Sequence, residues 1–168
     1  MAQKNLKRLV LTALLAALCC VATMVIKVPS PLQGYLNLGD GFVLLCGFTL
    51  SPLHAFLAAG LGSALADLFS GYLVYAPATF LIKGGMALLS WLLFRCCRKR
   101  MGFGLSVLLS GAAAEVLMVG GYYVFEGFLY GFVPSLVNIP ANAVQGVAGI
   151  LVAFFLQTVF QKYLKTLN

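Results

Sequence analysis

Most charged residues in this chain fall in short clusters, and the stretches between those clusters stay apolar for long distances. A helix crossing a bilayer needs about 20 mainly apolar residues. Punctuated by Pro, Gly and charge, the sequence divides into six candidate spans, at 6–26, 40–51, 53–70, 78–94, 104–126 and 138–162. The second is short, so the second and third are expected to form a tight hairpin that turns at Ser51-Pro52-Leu53. This pattern predicts an all-α integral membrane protein, a six-helix transmembrane bundle forming a single membrane-embedded domain over 1–168.

Composition excludes the alternative of a greasy soluble globule. The 168 residues are 62% hydrophobic and 9% charged, with mean hydropathy +1.01, whereas soluble domains carry roughly 25% charged residues. A domain of this size still exposes about 30% of its unfolded surface. Eleven basic and four acidic side chains cannot cover that area in water. The first apolar run follows Lys4, Lys7 and Arg8 as a signal peptide would, but it continues to Ile26 without a small-residue cleavage site. It therefore reads as a retained helix.

Charge placement gives the topology. Lys4, Lys7 and Arg8 precede the first span, Arg95, Arg98, Lys99 and Arg100 follow the fourth, and Lys162 and Lys165 close the sixth. With six spans these positions share one side, which the positive-inside rule makes cytoplasmic, both termini included. The basic excess thus reports orientation, and no nucleic-acid partner is expected. Five cysteines, Cys19, Cys20, Cys46, Cys96 and Cys97, lack metal-site spacing and read as reduced structural thiols.

The outer loops differ in kind from the inner ones. "KVPSPLQGYLNLGDG", "SGYLVYAPATF" and "EGFLYGFVPSLVNIP" concentrate proline, tyrosine and amide residues. An aromatic belt at the headgroups explains some tyrosines but does not require Asn, Gln and Asp among them. Together these loops suggest the lid and walls of a small-molecule pocket, with Tyr35, Asn37 and Tyr75 as candidate contacts. In the sixth span Asn138, Asn142, Gln145 and Gly149 share one helical face; in the fifth, Gly111, Glu115, Met118 and Tyr122 do. A mid-span carboxylate costs on the order of 2–3 kcal/mol even on lenient scales, so Glu115 is expected to face the bundle interior. Asp67 and Lys83 either pair to tie two helices together or contact substrate. Glu126 is expected to be solvated at the outer end of its span. Ala13, Ala17, Cys20 and Met24 share a face of the first span, suited to packing inside the bundle or to docking a membrane partner. Gly60 and Ala64 form a second small pair, expected to pack internally.

No phosphate-binding G-x-x-x-x-G-K-[ST] loop, zinc-protease motif or Ser/His/Asp set occurs. An intramembrane enzyme would have to run on Glu115 and Asp67, and a purely structural subunit is a third reading. The features that remain favour a membrane-embedded binding protein for a small solute, energised by something else and needing no cofactor or metal.

The stretch 36–86 resembles the substrate-binding S components of bacterial energy-coupling factor (ECF) vitamin transporters. The resemblance rests on "LGD" opening the second span, "GSALADLFSGY" ending the third and "YAPATFLIKG" opening the fourth. It implies high-affinity capture of a vitamin or precursor beneath the first outer loop. It also implies docking onto a transmembrane coupling subunit that carries two ATPase subunits, and release inside the cell by toppling in the cytoplasmic membrane. Docking would use the alanine face, matching Ala13 and Ala17, and the pocket would use Asn37, Lys83, Glu115, Tyr122, Asn138 and Asn142. The amides and tyrosines, with Gln145 among them, suit a flat hydrogen-bonding heterocycle. Pyridoxine or hydroxymethylpyrimidine comes first, then riboflavin or a deazapurine precursor, with pantothenate plausible if Lys83 is unpaired. Asp40 is expected to cap the second helix, with Gly39 and Gly41 letting the chain turn closely around it.

Overall fold

The computed structural model describes residues 2–30, 32 and 34–166. Loop residues Pro31 and Gln33, and the side chains of the topology residues Lys4, Lys162 and Lys165, lie outside the described set. Six main helices are present among the described residues: α1 (Ala2–Val25), α2 (Asp40–Thr49), α3 (Pro52–Phe69), α4 (Ala76–Arg98), α5 (Phe103–Tyr130) and α7 (Ile139–Thr166). A single turn α6 (Phe132–Ser135) and a 3₁₀ turn at Leu136–Asn138 join α5 to α7. Five helical segments are long and apolar enough to cross a membrane; α2 is shorter.

That short helix lies at the centre of the bundle. At 1.5 Å per residue its ten residues cover only about 15 Å, half a hydrocarbon core. Eight of the ten are buried, and α2 packs against α4, α7, α3 and α1. Between α1 and α2 the chain is irregular apart from a two-stranded antiparallel hairpin, β1 (Lys27–Pro29) and β2 (Tyr35–Asn37). Its register pairs Lys27 with Asn37, Val28 with Leu36 and Pro29 with Tyr35. Strand β2 is half-buried against α1 and α7, whereas Val28 and Pro29 of β1 stay exposed.

Small residues set the close approaches. A Cβ on Gly62 would lie 2.4 Å from the Ala16 carbonyl oxygen, so only glycine lets α3 and α1 pack this closely. Gly60 meets the Phe80 carbonyl of α4 in the same way, the internal packing expected of it. Gly71, at φ 84°, adopts the left-handed turn that ends α3 and reverses the chain into α4. Cys19 and Cys46 meet across α1 and α2 with their sulfurs 3.8 Å apart, as free thiols.

Arg8, His54 and Arg95 gather at one end of the bundle. The hairpin and the α3–α4 turn close the other. Along α1, Leu15 and Cys19 face the core while Ala13 and Ala17 are exposed on the opposite side.

Candidate functional site

A cavity opens beneath the hairpin. Its atom-free volume, mouth included, is about 430 Å³. Tyr35 and Asn37 of β2 form the roof, Asp67, Tyr72, Tyr75 and Thr79 one wall, and Tyr122, Glu126, Asn142 and Gln145 the other. Aromatic contacts stiffen the first wall: Tyr35 and Tyr72 lie 4.9 Å apart, and Tyr75 meets Phe125 edge-on at 5.3 Å. The Tyr35 hydroxyl donates to Asp67 Oδ1 at 2.7 Å, and Thr79 and Tyr122 share a hydroxyl contact at 3.0 Å. Burial raises the Tyr35 phenol pKa above its ordinary value, and the Asp67 carboxylate adds to the rise. Burial raises the Tyr75 phenol likewise, with Tyr130 and Glu126 adding to it. Both phenols therefore keep their protons at neutral pH and remain hydrogen-bond donors.

Below the cavity floor lies a buried polar chain. Lys83 Nζ donates to Asp40 Oδ1 in an ion pair whose side chains are 3% and 0% exposed. Gln145 Nε2 donates to Asp40 Oδ2 at 2.6 Å, and Gln145 Oε1 accepts the Asn37 N–H at 3.0 Å. Asn37 Oδ1 in turn accepts the Gly39 N–H at 2.9 Å. Lys83 also lies 5.4 Å from the centre of the Tyr122 ring. A continuous set of bonds thus runs from α4 through α2 and α7 to the roof.

Three local expectations change. Asp40 does not cap α2: Gly39 holds the cap position, no side chain bonds to the exposed amides there, and Asp40 sits in the first turn with its carboxylate spent on Lys83 and Gln145. Lys83 does not pair with Asp67, because Asp40 claims it. The condition that would have favoured pantothenate is therefore unmet. Glu126 is not solvated. Helix α5 continues to Tyr130, which draws Glu126 inside, where Asn138 Nδ2 donates to both carboxylate oxygens at 3.0 Å.

Of the expected contacts, Tyr35, Asn37, Tyr75, Tyr122, Asn142 and Gln145 come together on the cavity wall, whereas Lys83, Glu115 and Asn138 do not line it. Asn138 is 1% exposed; it binds Glu126 and accepts the Leu32 N–H at 3.3 Å, which ties the lid down. Glu115 does face the interior, at 5% exposure, and neither carboxylate oxygen has a hydrogen-bond partner among the described residues. An orphaned buried polar group costs about 1–3 kcal/mol. Glu115→Met should therefore raise the melting temperature of the ligand-free protein in detergent, and a fall would show that the carboxylate has a stabilising partner. Tyr72 and Thr79 were missed as wall residues, although both lie within the quoted loop "SGYLVYAPATF".

Comparison with known proteins fits this arrangement. Residues 3–162 match the family described as ECF-type riboflavin transporter, S component. An uncharacterized protein of Pyrococcus woesei is 33% identical over 144 residues, 84% of this chain and 93% of that protein. The thiamine precursor transporter HmpT of Lactococcus lactis subsp. cremoris is 29% identical over 164 residues, 96% of this chain and 92% of the relative. A solved structure described as the S component of a bacterial ECF transporter superposes with TM-score 0.72 at 27% identity, covering 96% of this chain and 99% of that one. S components are substrate-binding subunits of transporters and not enzymes, so the reading of Glu115 and Asp67 as a catalytic pair falls. By sequence and by fold, the chain belongs to the S components of ECF-type transporters.

Proposed function

We propose that this chain captures a small vitamin precursor at the outer face of the cytoplasmic membrane, with a hydroxymethylpyrimidine-type ligand as the first candidate. In this reading the whole chain acts as one binding domain with both termini inside, which the gathering of Arg8 and Arg95 at one end supports through the positive-inside rule. The observation that carries the substrate reading is the lining of the cavity. Four tyrosines and a free amide at Asn142 suit a flat, hydrogen-bonding ring. The similarity to a thiamine precursor transporter points the same way. Riboflavin, named in the family description, is the principal competitor, with pyridoxine next.

Thermal unfolding of the detergent-solubilised protein against a vitamin panel tests this reading. A ligand at 100 times its Kd stabilises by about 2.7 kcal/mol, so hydroxymethylpyrimidine should raise the melting temperature measurably. A shift with riboflavin alone would move the assignment to the flavin, and no shift with any vitamin would remove it.

Transport then requires a transmembrane coupling subunit with two ATPase subunits, and release by toppling. Exposed Ala13 and Ala17 on α1 offer the shallow surface that a partner helix needs. Ala13→Trp with Ala17→Trp should abolish uptake in cells expressing the coupling module while leaving ligand affinity unchanged. Continued uptake would discard that surface.

A further inference from the structure

Resting on that reading of the cavity, we propose that Asp67 selects ligands by accepting a hydrogen bond from an exocyclic amine, and that with Glu126 it excludes phosphate esters. The wall contains two carboxylates and no cation. Of the nearby cations, Lys83 is paired with Asp40, and Lys27, held by Ser70 Oγ and the face of Tyr35 at 5.2 Å, is the one charge left among the described residues to offset the two carboxylates. With two carboxylates against one unpaired ammonium, a phosphate entering here would meet a net excess of negative charge, and like charges at short range repel.

The two carboxylates are not equally available. Glu126 receives Asn138 on both oxygens and the Tyr75 hydroxyl at 3.4 Å. Asp67 receives the Tyr35 hydroxyl on Oδ1 and a contact from Thr79. An ionised carboxylate offers about four acceptor sites and no donor, so Asp67 has room for one more donor and none to offer an acceptor. A 4-aminopyrimidine presents that donor. Its 4-oxo counterpart places a carbonyl oxygen against the carboxylate, and sites built to hydrogen-bond a group reject the analogue lacking it far more strongly than they reject a missing methylene.

Isothermal titration of the wild-type protein with 4-amino-5-hydroxymethyl-2-methylpyrimidine, its 4-oxo counterpart and its phosphate ester provides the test. The 4-oxo compound should bind about 10- to 150-fold more weakly, the span expected for a hydrogen bond to a charged group, and the ester should give no saturable binding. Asp67→Asn should bring the amino and oxo compounds to near parity, because a carboxamide can turn either a donor or an acceptor to the ring. Tyr35→Phe should leave the preference intact. Equal wild-type affinity for amino and oxo forms, or binding of the ester, overturns the role of Asp67 while the precursor-binding reading stands. Riboflavin binding with no pyrimidine binding overturns both. The wild-type ligand series decides the matter even if Asp67→Asn does not fold.

Discussion

Lys83→Met should destabilise the protein by about 3–5 kcal/mol, the usual cost of stranding one member of a buried ion pair. For a chain of this length that is roughly 6–20 °C in melting temperature. The Asp40 carboxylate is fully buried at the start of α2, at the level of Lys83, about 10 Å along α4 from its N-terminal end. Without the ammonium, Gln145 Nε2 is the sole remaining partner of Asp40 among the described residues. The variant Asp40→Asn combined with Lys83→Met removes both charges and should recover most of the loss. A double variant as unstable as the single one would mean that the pair contributes by packing and not by charge. Because Gln145 also holds the Asn37 N–H, the single variant should loosen the roof and weaken ligand binding as well.

The second large effect separates binding from folding. Asn142 lines the cavity, is half-buried and has no hydrogen-bond partner among the described residues. Asn142→Leu should leave the melting temperature of the empty protein within about 2 °C, since surface changes that break no contact stay within about 0.5 kcal/mol. Ligand affinity should fall about 10- to 100-fold through loss of the free amide and an unpaired polar group on the bound ring. Gln145→Leu, one turn further along α7, makes the contrasting case: it breaks two buried bonds and should lower both stability and affinity. If Asn142→Leu binds normally, the amide stripe of α7 serves the bundle and not the ligand.

Hydropathy and charge made the spans legible, because a run of apolar residues with basic ends has one physical solution in a bilayer. The central position of α2 was less so. Its length suggested a hairpin with α3, yet nothing local says that the chain before it folds back as β1 and β2. Asp40 shows the limit most clearly. "GDG" before an apolar run is a sound capping pattern, but the partner that wins the carboxylate is Lys83, 43 residues away on another helix. Glu126 misled for a related reason: its charge and the Gly127 after it read as the end of a span, while the helix continues four residues further and carries the carboxylate under the α6 turn to Asn138. The amide stripe was visible from spacing alone. Its division of labour was not, since Asn138 holds the lid, Gln145 links the roof to the ion pair and only Asn142 is left free.

Native mass spectrometry of the purified protein, incubated with an equimolar mixture of hydroxymethylpyrimidine, pyridoxine and riboflavin, tests the central claim most directly. A single added mass equal to hydroxymethylpyrimidine, absent in Asn142→Leu, is the predicted result. An added mass equal to riboflavin, or none at any concentration, would contradict it.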